Sequence, residues 1–401
     1  MSDNNSTGPS NGIRVAWLVA GQEILGIAQA VRGLASAVRP LGLDPVIISL
    51  SDGPFPQSMR KEGFAVDVLN MDLPPTLRGG FLNKIVLQLR VRSTSAMIRP
   101  RLAGALRAHG AQAIHVLWPN LMPLAATAAN DVGIPCFWEM PNVMGKYPFG
   151  INRRLTQRTL RRWNVTALAN SRYTANTLGN HPVAPIVLYL GVDERRFFPN
   201  RKDFVTREQL AIPSNAIVLG IFGRIKPTKG HALLLQAMAQ LPSEYANAHL
   251  MLLGGPTDGD FADQLRKLAA RLGVSERLHM IGIVADPERY YGVLDIAVNA
   301  RIDAEPFGLS VVEAMMMGKP VLAHSLGGPA ETVVDGATGW HVHTPTVAAF
   351  EAGLLRALGD RKRWAEMGAA GRERAMEHFS LSRQVNQYVE VIRSGLMRRS
   401  T

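Results

Sequence analysis

The chain has 401 residues, enough for two or three domains with full cores, and its 47% apolar and 19% charged residues place it among globular proteins. Its one cysteine, Cys136, excludes a disulfide framework and any zinc site built on cysteine pairs. The net charge of +12 is unevenly spread: residues 1–200 hold 21 Lys+Arg against 11 Asp+Glu, while residues 201–401 hold 23 against 21. Leu73–Asn130 and Met140–Val192 contain no acid at all. That asymmetry points to a polyanionic partner of the N-terminal half, a membrane face or a nucleic acid; solvated basic faces are the other reading.

The start, MSDNNSTGPSNG, has neither the cationic beginning nor the apolar core of a secretory signal, and segment 1–12 reads as disordered. No run of about 18 apolar residues follows, so a cytoplasmic protein without a membrane span is expected. Ile13–Ala20 then reads as a buried strand, followed by a loop with Gly21 and Gly26 and a helix through Leu34 and Val38. Short apolar runs recur at Pro45–Leu50, Phe64–Leu69, Ala113–Leu117, Pro135–Trp138, Val165–Ala169 and Ile186–Leu190, with helical patterns such as Asn120–Asp131 between them. Continuous apolar strands alternating with helices predict a parallel sheet covered on both faces.

The pattern restarts after the polar stretch Pro199–Asp203. Strands are expected at Ala216–Phe222, His249–Leu253, Leu278–Ile283, Asp295–Asn299 and Pro320–Ala323. Helices are expected at His231–Leu241, Phe261–Leu272, Leu309–Met317 and Thr346–Leu358. The fold class is therefore α/β, with two doubly wound domains whose ligand sites lie at the carboxyl ends of their strands.

Three segments of the second half carry chemistry. Gly223–Gly230 (GRIKPTKG) follows a strand; its glycines permit a tight turn, and Arg224 and Lys229 can reach an anion from one loop. Glu305–Glu313 (EPFGLSVVE) places the N–H groups of Gly308, Leu309 and Ser310 at a helix start, where anions are favoured, between two carboxylates. Gly327–Glu331 (GGPAE) is a second glycine turn before a helix. Asp258-Gly259-Asp260 has the look of a metal motif, but at a helix start its aspartates read as caps, and no metal is assigned. Two basic segments, Gly79–Arg101 and Ile151–Trp163, interleave arginines with apolar residues and suit an anionic membrane surface.

Taken in this order, GRIKPTKG, EPFGLSVVE and GGPAE resemble the donor domain of a GT-B-fold glycosyltransferase of family 4, the retaining glycosyl transferases group 1 family. Leu190–Pro199 resembles that family's interdomain segment, and Glu377–Ser380 its closing region, with Leu381 where tryptophan is usual. The likeness spans Val165–Val391 and is looser over Ile13–Trp163. It implies two Rossmann-like domains facing across a cleft: 13–199 on the acceptor and membrane side, 200–380 for a nucleotide-sugar donor, and a helix in 381–401 crossing back to the first. It further implies transfer with retention and without a metal or other cofactor, to a glycan or lipid-linked acceptor of envelope polysaccharide or glycolipid synthesis.

Position by position, the resemblance gives Arg224 and Lys229 the donor diphosphate and Glu305 the donor sugar, these three forming the catalytic set. Gly223, Gly308, Leu309 and Ser310 would hold phosphate and sugar, and Glu313 the ribose. The first half departs from the family pattern. Gly21 and an isolated Gly26 stand where a glycine pair is usual, and Glu139 and Asn142 stand where a histidine often ends a strand. Gly26, Glu139 and Asn142, with Trp118 and Asn120 at a strand end, are the acceptor-side candidates. A GT-B nucleotide-sugar 2-epimerase and a basic nucleic-acid-binding protein remain the other readings, although no spaced aromatics for base stacking accompany the basic stretches.

Overall fold

A computed structural model describes residues 12–22, 25–71, 96–144, 151–180 and 184–400. Segment 1–11 and residues 72–95 lie outside the described residues, and with them most of the expected disordered start and of the basic segment Gly79–Arg101. The chain divides into two compact units, Met1–Tyr189 with Leu381–Thr401, and Leu190–Ser380.

In the first unit the described residues form a parallel sheet of order β3-β2-β1-β4-β5-β6-β7. Its strands are β1 Ile13–Val19, β2 Leu43–Ser49, β3 Ala65–Val68, β4 Ala113–Val116, β5 Cys136–Met140, β6 Thr166–Ala169 and β7 Ile186–Val187. The helices between them are α1 Leu25–Val38, α2 Pro54–Lys61, α3 over 96–108, α4 Met122–Val132, α5 Ile151–Arg162 and α6 Arg172–Thr177. Val15 to Val19 are buried without alternation, because helices cover the sheet on both sides. Ser171 starts α6 by accepting the Thr174 N–H at 2.9 Å. The last helix of the chain, α13 Leu381–Ser400, joins this unit. Its Val385, Tyr388, Val389 and Ile392 complete a core with Trp17 and Phe137. Gly395 allows that contact, since a Cβ there would lie 2.4 Å from the Phe137 ring.

The second unit has a parallel sheet of order β10-β9-β8-β11-β12-β13. Its strands are β8 Ile217–Phe222, β9 Ala248–Leu253, β10 Leu278–Gly282, β11 Ile296–Asn299, β12 Val321–His324 and β13 Gly339–Val342. Its helices are α7 His231–Ala239, α8 Asp260–Arg271, α9 Leu309–Met316, α10 Pro329–Thr332, α11 Val347–Gly359 and α12 Trp364–Phe379. The strand order reverses between β8 and β11, so the crevice outside their carboxyl ends is the ligand position that this topology favours.

Two elements go beyond the sequence expectations. β13 holds only four residues with a half-buried histidine among them, too short for a clear apolar run. α12 carries Gly368 and Gly371, which read as helix breakers. In the structure Gly368 lies against the chain turn after α9, where a Cβ would fall 2.0 Å from the Gly318 carbonyl oxygen.

Candidate functional site

Three loops of the second unit meet at the switch point. The loop after β8 runs from Gly223 to Gly230, the segment after β11 from Ala300 to Gly308, and the turn after β12 holds Gly327 and Gly328. Glycine is required at the points of closest approach. Gly230 has φ 72° and would put a Cβ 1.9 Å from the Ala300 oxygen. Gly327 has φ 102° and would put one 2.0 Å from the Glu305 oxygen. The Gly328 N–H donates to that same oxygen at 2.8 Å, and the Glu305 N–H donates to the Leu326 carbonyl at 3.0 Å. The sequence presents Gly327-Gly328 as a glycine turn open to close approach; its work here is to fasten the backbone of Glu305.

The Glu305 carboxylate is buried and engaged on both oxygens. Lys229 Nζ donates to Oε2 at 2.7 Å and Arg301 Nη1 to Oε1 at 3.0 Å. Burial pushes this carboxyl up, but Lys229 and Arg301 outweigh it and hold Glu305 below its ordinary range. Arg301 is also forked onto Asp303, with a second contact of 3.3 Å from Nη2 to Oδ2. Lys226 joins the group: burial and the neighbouring Arg224, Arg301 and Lys229 pull its ammonium down. Arg224 is exposed and makes no ion pair among the described residues. Four cations thus face two carboxylates, leaving an excess of two positive charges in one crevice.

Gly308, with φ 89°, precedes α9, and the first bonds of that helix run from the Val311 and Val312 N–H groups to the Gly308 oxygen. The N–H groups of Gly308, Leu309 and Ser310 precede that ladder, as expected of a helix N-terminus. Glu313 lies one turn on, half-buried, and accepts from the Tyr291 hydroxyl at 3.0 Å. Burial raises its carboxyl to about 7, against the pull of the Tyr291 hydrogen bond and Arg196. Arg196, from Leu190–Pro199, pairs with the buried Glu288 at 2.8 Å. Asp260 lies in the first turn of α8, and among the described residues no group of three His, Cys, Asp or Glu is placed to hold a metal.

The acceptor-side candidates lie in the first unit at the carboxyl ends of β4 and β5, apart from Gly26, which falls within α1. Trp118 and Asn120 are half-buried, Trp118 packing against the cores on both faces of the sheet. Asn142 is exposed beyond β5. Glu139 sits inside β5, one residue before its end, with Oε2 3.5 Å from Nε2 of the buried His115. His115 Nδ1 is in turn hydrogen-bonded to the Tyr388 hydroxyl at 2.9 Å. The sequence reading missed Lys226, Arg301, Tyr291, Arg196 and Glu288. A signal existed for Arg301, which stands four residues before Glu305, but an isolated arginine on a loop reads as solvated.

Two doubly wound, parallel α/β units with this strand order define the GT-B fold. HepE of Anabaena in complex with UDP superposes with a TM-score of 0.80 at 21% identity, covering 95% of this chain and all of the other. The sucrose-phosphate synthase of Thermosynechococcus elongatus gives 0.73 at 19% identity, over 95% of this chain and 98% of that one. Residues 203–374 match the family described as Glycosyl transferases group 1, and residues 26–188 the Glycosyl transferase 4-like domain. The chain belongs to the glycosyltransferases of family 4. A D-inositol 3-phosphate glycosyltransferase 2 of Catenulispora acidiphila is 38% identical over 200 residues, 47% of this chain and 44% of that protein. A GDP-mannose-dependent alpha-(1-6)-phosphatidylinositol monomannoside mannosyltransferase of Mycobacterium tuberculosis is 31% identical over 287 residues, 69% of this chain and 66% of that protein. The chain spans about half the length of the first curated relatives it matches.

Proposed function

We propose that the protein transfers a sugar from a nucleoside diphosphate sugar to a glycan or lipid-linked acceptor, with retention at the anomeric carbon. The observation that carries this reading is the crevice around Glu305, whose two excess positive charges match the charge of a diphosphate. Arg224 and Lys229 bind the diphosphate and stabilise the charge that grows on it as the glycosidic bond breaks. The N–H groups of Gly308, Leu309 and Ser310, with Gly223 leaving room for close approach, hold phosphate and sugar. Glu305 accepts hydrogen bonds from the sugar hydroxyls, and Glu313 from the ribose. The diphosphate oxygen takes the acceptor proton, so the reading needs neither a protein nucleophile nor a metal. Gly26, Trp118, Asn120, Glu139 and Asn142 are assigned to the acceptor side. The relative named for phosphatidylinositol monomannoside favours a glycolipid acceptor, and its GDP-mannose together with the neighbour holding UDP makes guanosine and uridine the first bases to try.

The direct test is a thermal-shift panel of UDP, GDP, ADP and CMP with their sugar conjugates. At about a hundred times its dissociation constant a ligand stabilises the fold by about 2.7 kcal/mol, a shift of a few degrees. One base should shift the melting temperature, and the sugar conjugate of that base should lose its sugar to an acceptor with unchanged anomeric configuration by NMR. A flat panel sinks the reading. Sugar release without any acceptor would favour the epimerase chemistry instead.

We also place the protein on the cytoplasmic membrane face, through α5. Arg153, Arg154, Arg158, Arg161 and Arg162 are exposed, with Leu155 45% exposed among them, and none of the five pairs with a carboxylate among the described residues. No helix among the described residues is long and apolar enough to cross a membrane. Of the earlier basic segment, Arg99 is tied to Asp131. Each lysine or arginine near an anionic surface contributes about 1 kcal/mol. Glutamine at Arg154, Arg158 and Arg161 together should therefore weaken binding to phosphatidylglycerol vesicles by about 100-fold in flotation assays, while neutral vesicles bind neither form. Equal flotation of the triple variant and the native chain would refute the assignment.

A further inference from the structure

We infer that Arg301 is a positioning residue that keeps Glu305 ionised and fixed while Lys229 exchanges that carboxylate for the donor's diphosphate. The inference rests on the donor reading above and adds a residue outside its binding set. Lys229 and Glu305 are partners at 2.7 Å. A lysine that grips a diphosphate gives its charge to the phosphate, and a buried carboxylate with a single counter-ion would then be stranded. Glu305 is not left in that position, because Arg301 holds its other oxygen at 3.0 Å.

Arg301 is itself held at both ends, side chain and backbone. Asp303 takes its Nε and Nη2, and its backbone carbonyl oxygen meets His324 Nδ1 at 2.6 Å. Its side chain is only 16% exposed, so it has little freedom to follow Lys229. A planar fork can serve two carboxylates at once, which an ammonium on a flexible stem does poorly. Asp303 thus fixes Arg301, and Arg301 fixes Glu305, independently of where Lys229 points.

The test is calorimetric titration of UDP and GDP into the native chain, R301Q, R301K, E305Q and the double variant R301Q/E305Q, from pH 5.5 to 8. Loss of an adjacent arginine raises a carboxyl pKa by about 1 unit or more. R301Q should therefore bind the nucleotide about tenfold more weakly than the native chain at pH 8, with the gap narrowing as the pH falls and Glu305 takes up a proton. R301K should recover only part of that loss, since the ammonium restores the charge but not the fork to both carboxylates. In the E305Q background, removing Arg301 should cost clearly less than in the native chain, only the loss of one positive charge from the crevice, since the two residues are coupled. A loss that persists undiminished in the double variant, or a gap that is the same at every pH and unrelieved by lysine, overturns the inference and leaves the donor reading standing. Should R301Q fail to fold, D303N, which loosens the same guanidinium, should show the same pH-dependent gap at smaller size. If the native chain binds none of the nucleoside diphosphates in the panel, the donor reading fails first and this inference falls with it.

Discussion

Glutamine at Glu305 should lower turnover by about 100-fold or more while leaving the donor KM unchanged or reduced. The size follows from what one charged hydrogen-bond partner contributes at the reacting centre when it acts in a buried site. The direction of KM follows from the charges. Removing the carboxylate frees Lys229, 18% exposed, and Arg301 from their shared counter-ion, so the crevice becomes more positive and the diphosphate is held at least as well. The fold should lose only about 1–2 kcal/mol, because the amide keeps one acceptor for one of the two cations. Melting temperature and nucleotide binding then report an intact site, while steady-state turnover of the donor reports the loss. Turnover within a few-fold of native would remove Glu305 from the sugar site, and with it the reason for its burial among cations.

How much of this was readable beforehand depends on the length scale of the signal. Strands such as β1 and β8 are continuous apolar runs bounded by glycine loops, and a parallel covered sheet is the only economical place for them. Their alternation with helices gave the doubly wound class, and the loops at the carboxyl ends gave the region of the site. What stayed hidden was pairing across loops. Lys229 and Glu305 are 76 residues apart, and Tyr291 and Glu313 are 22 apart. Nothing in local composition brings them together; the β8–β11 adjacency does. The same holds for Gly327, whose need for a missing Cβ is set by the backbone of a different loop. In the first unit, Glu139 reads from the sequence as an acceptor-side candidate at a strand end, and only the pairing of β4 with β5 brings it to the buried His115.

The pH dependence of Glu313 gives the second large effect, and its sign is fixed by burial. Desolvation raises this carboxyl to about 7 from an ordinary value of 4.5, Glu288 adds repulsion, and the Tyr291 hydroxyl and Arg196 offset only part of the rise. Between those two pH values the folded chain retains a proton that the unfolded chain has released. The fold therefore loses stability as pH rises from about 4.5 to about 7, by about 3 kcal/mol in all, and the deficit persists above that window. Glu313→Gln should abolish this slope, matching the native chain near pH 4.5 and exceeding its stability at pH 8. Nucleotide binding should run the other way. A carboxylate that receives ribose hydroxyls must be ionised, so the affinity of the native chain should rise about tenfold per unit as pH climbs toward 7, then level off. Any slope that comes from protonation of the phosphates will survive in Glu313→Gln; the part owed to Glu313 will not. Denaturation midpoints and calorimetric titrations across pH 5 to 8 on the two proteins separate these contributions. If the native and variant affinities run parallel at every pH, the ribose does not meet Glu313, and the Tyr291–Glu313 pair is only a strut between α9 and the segment before β11.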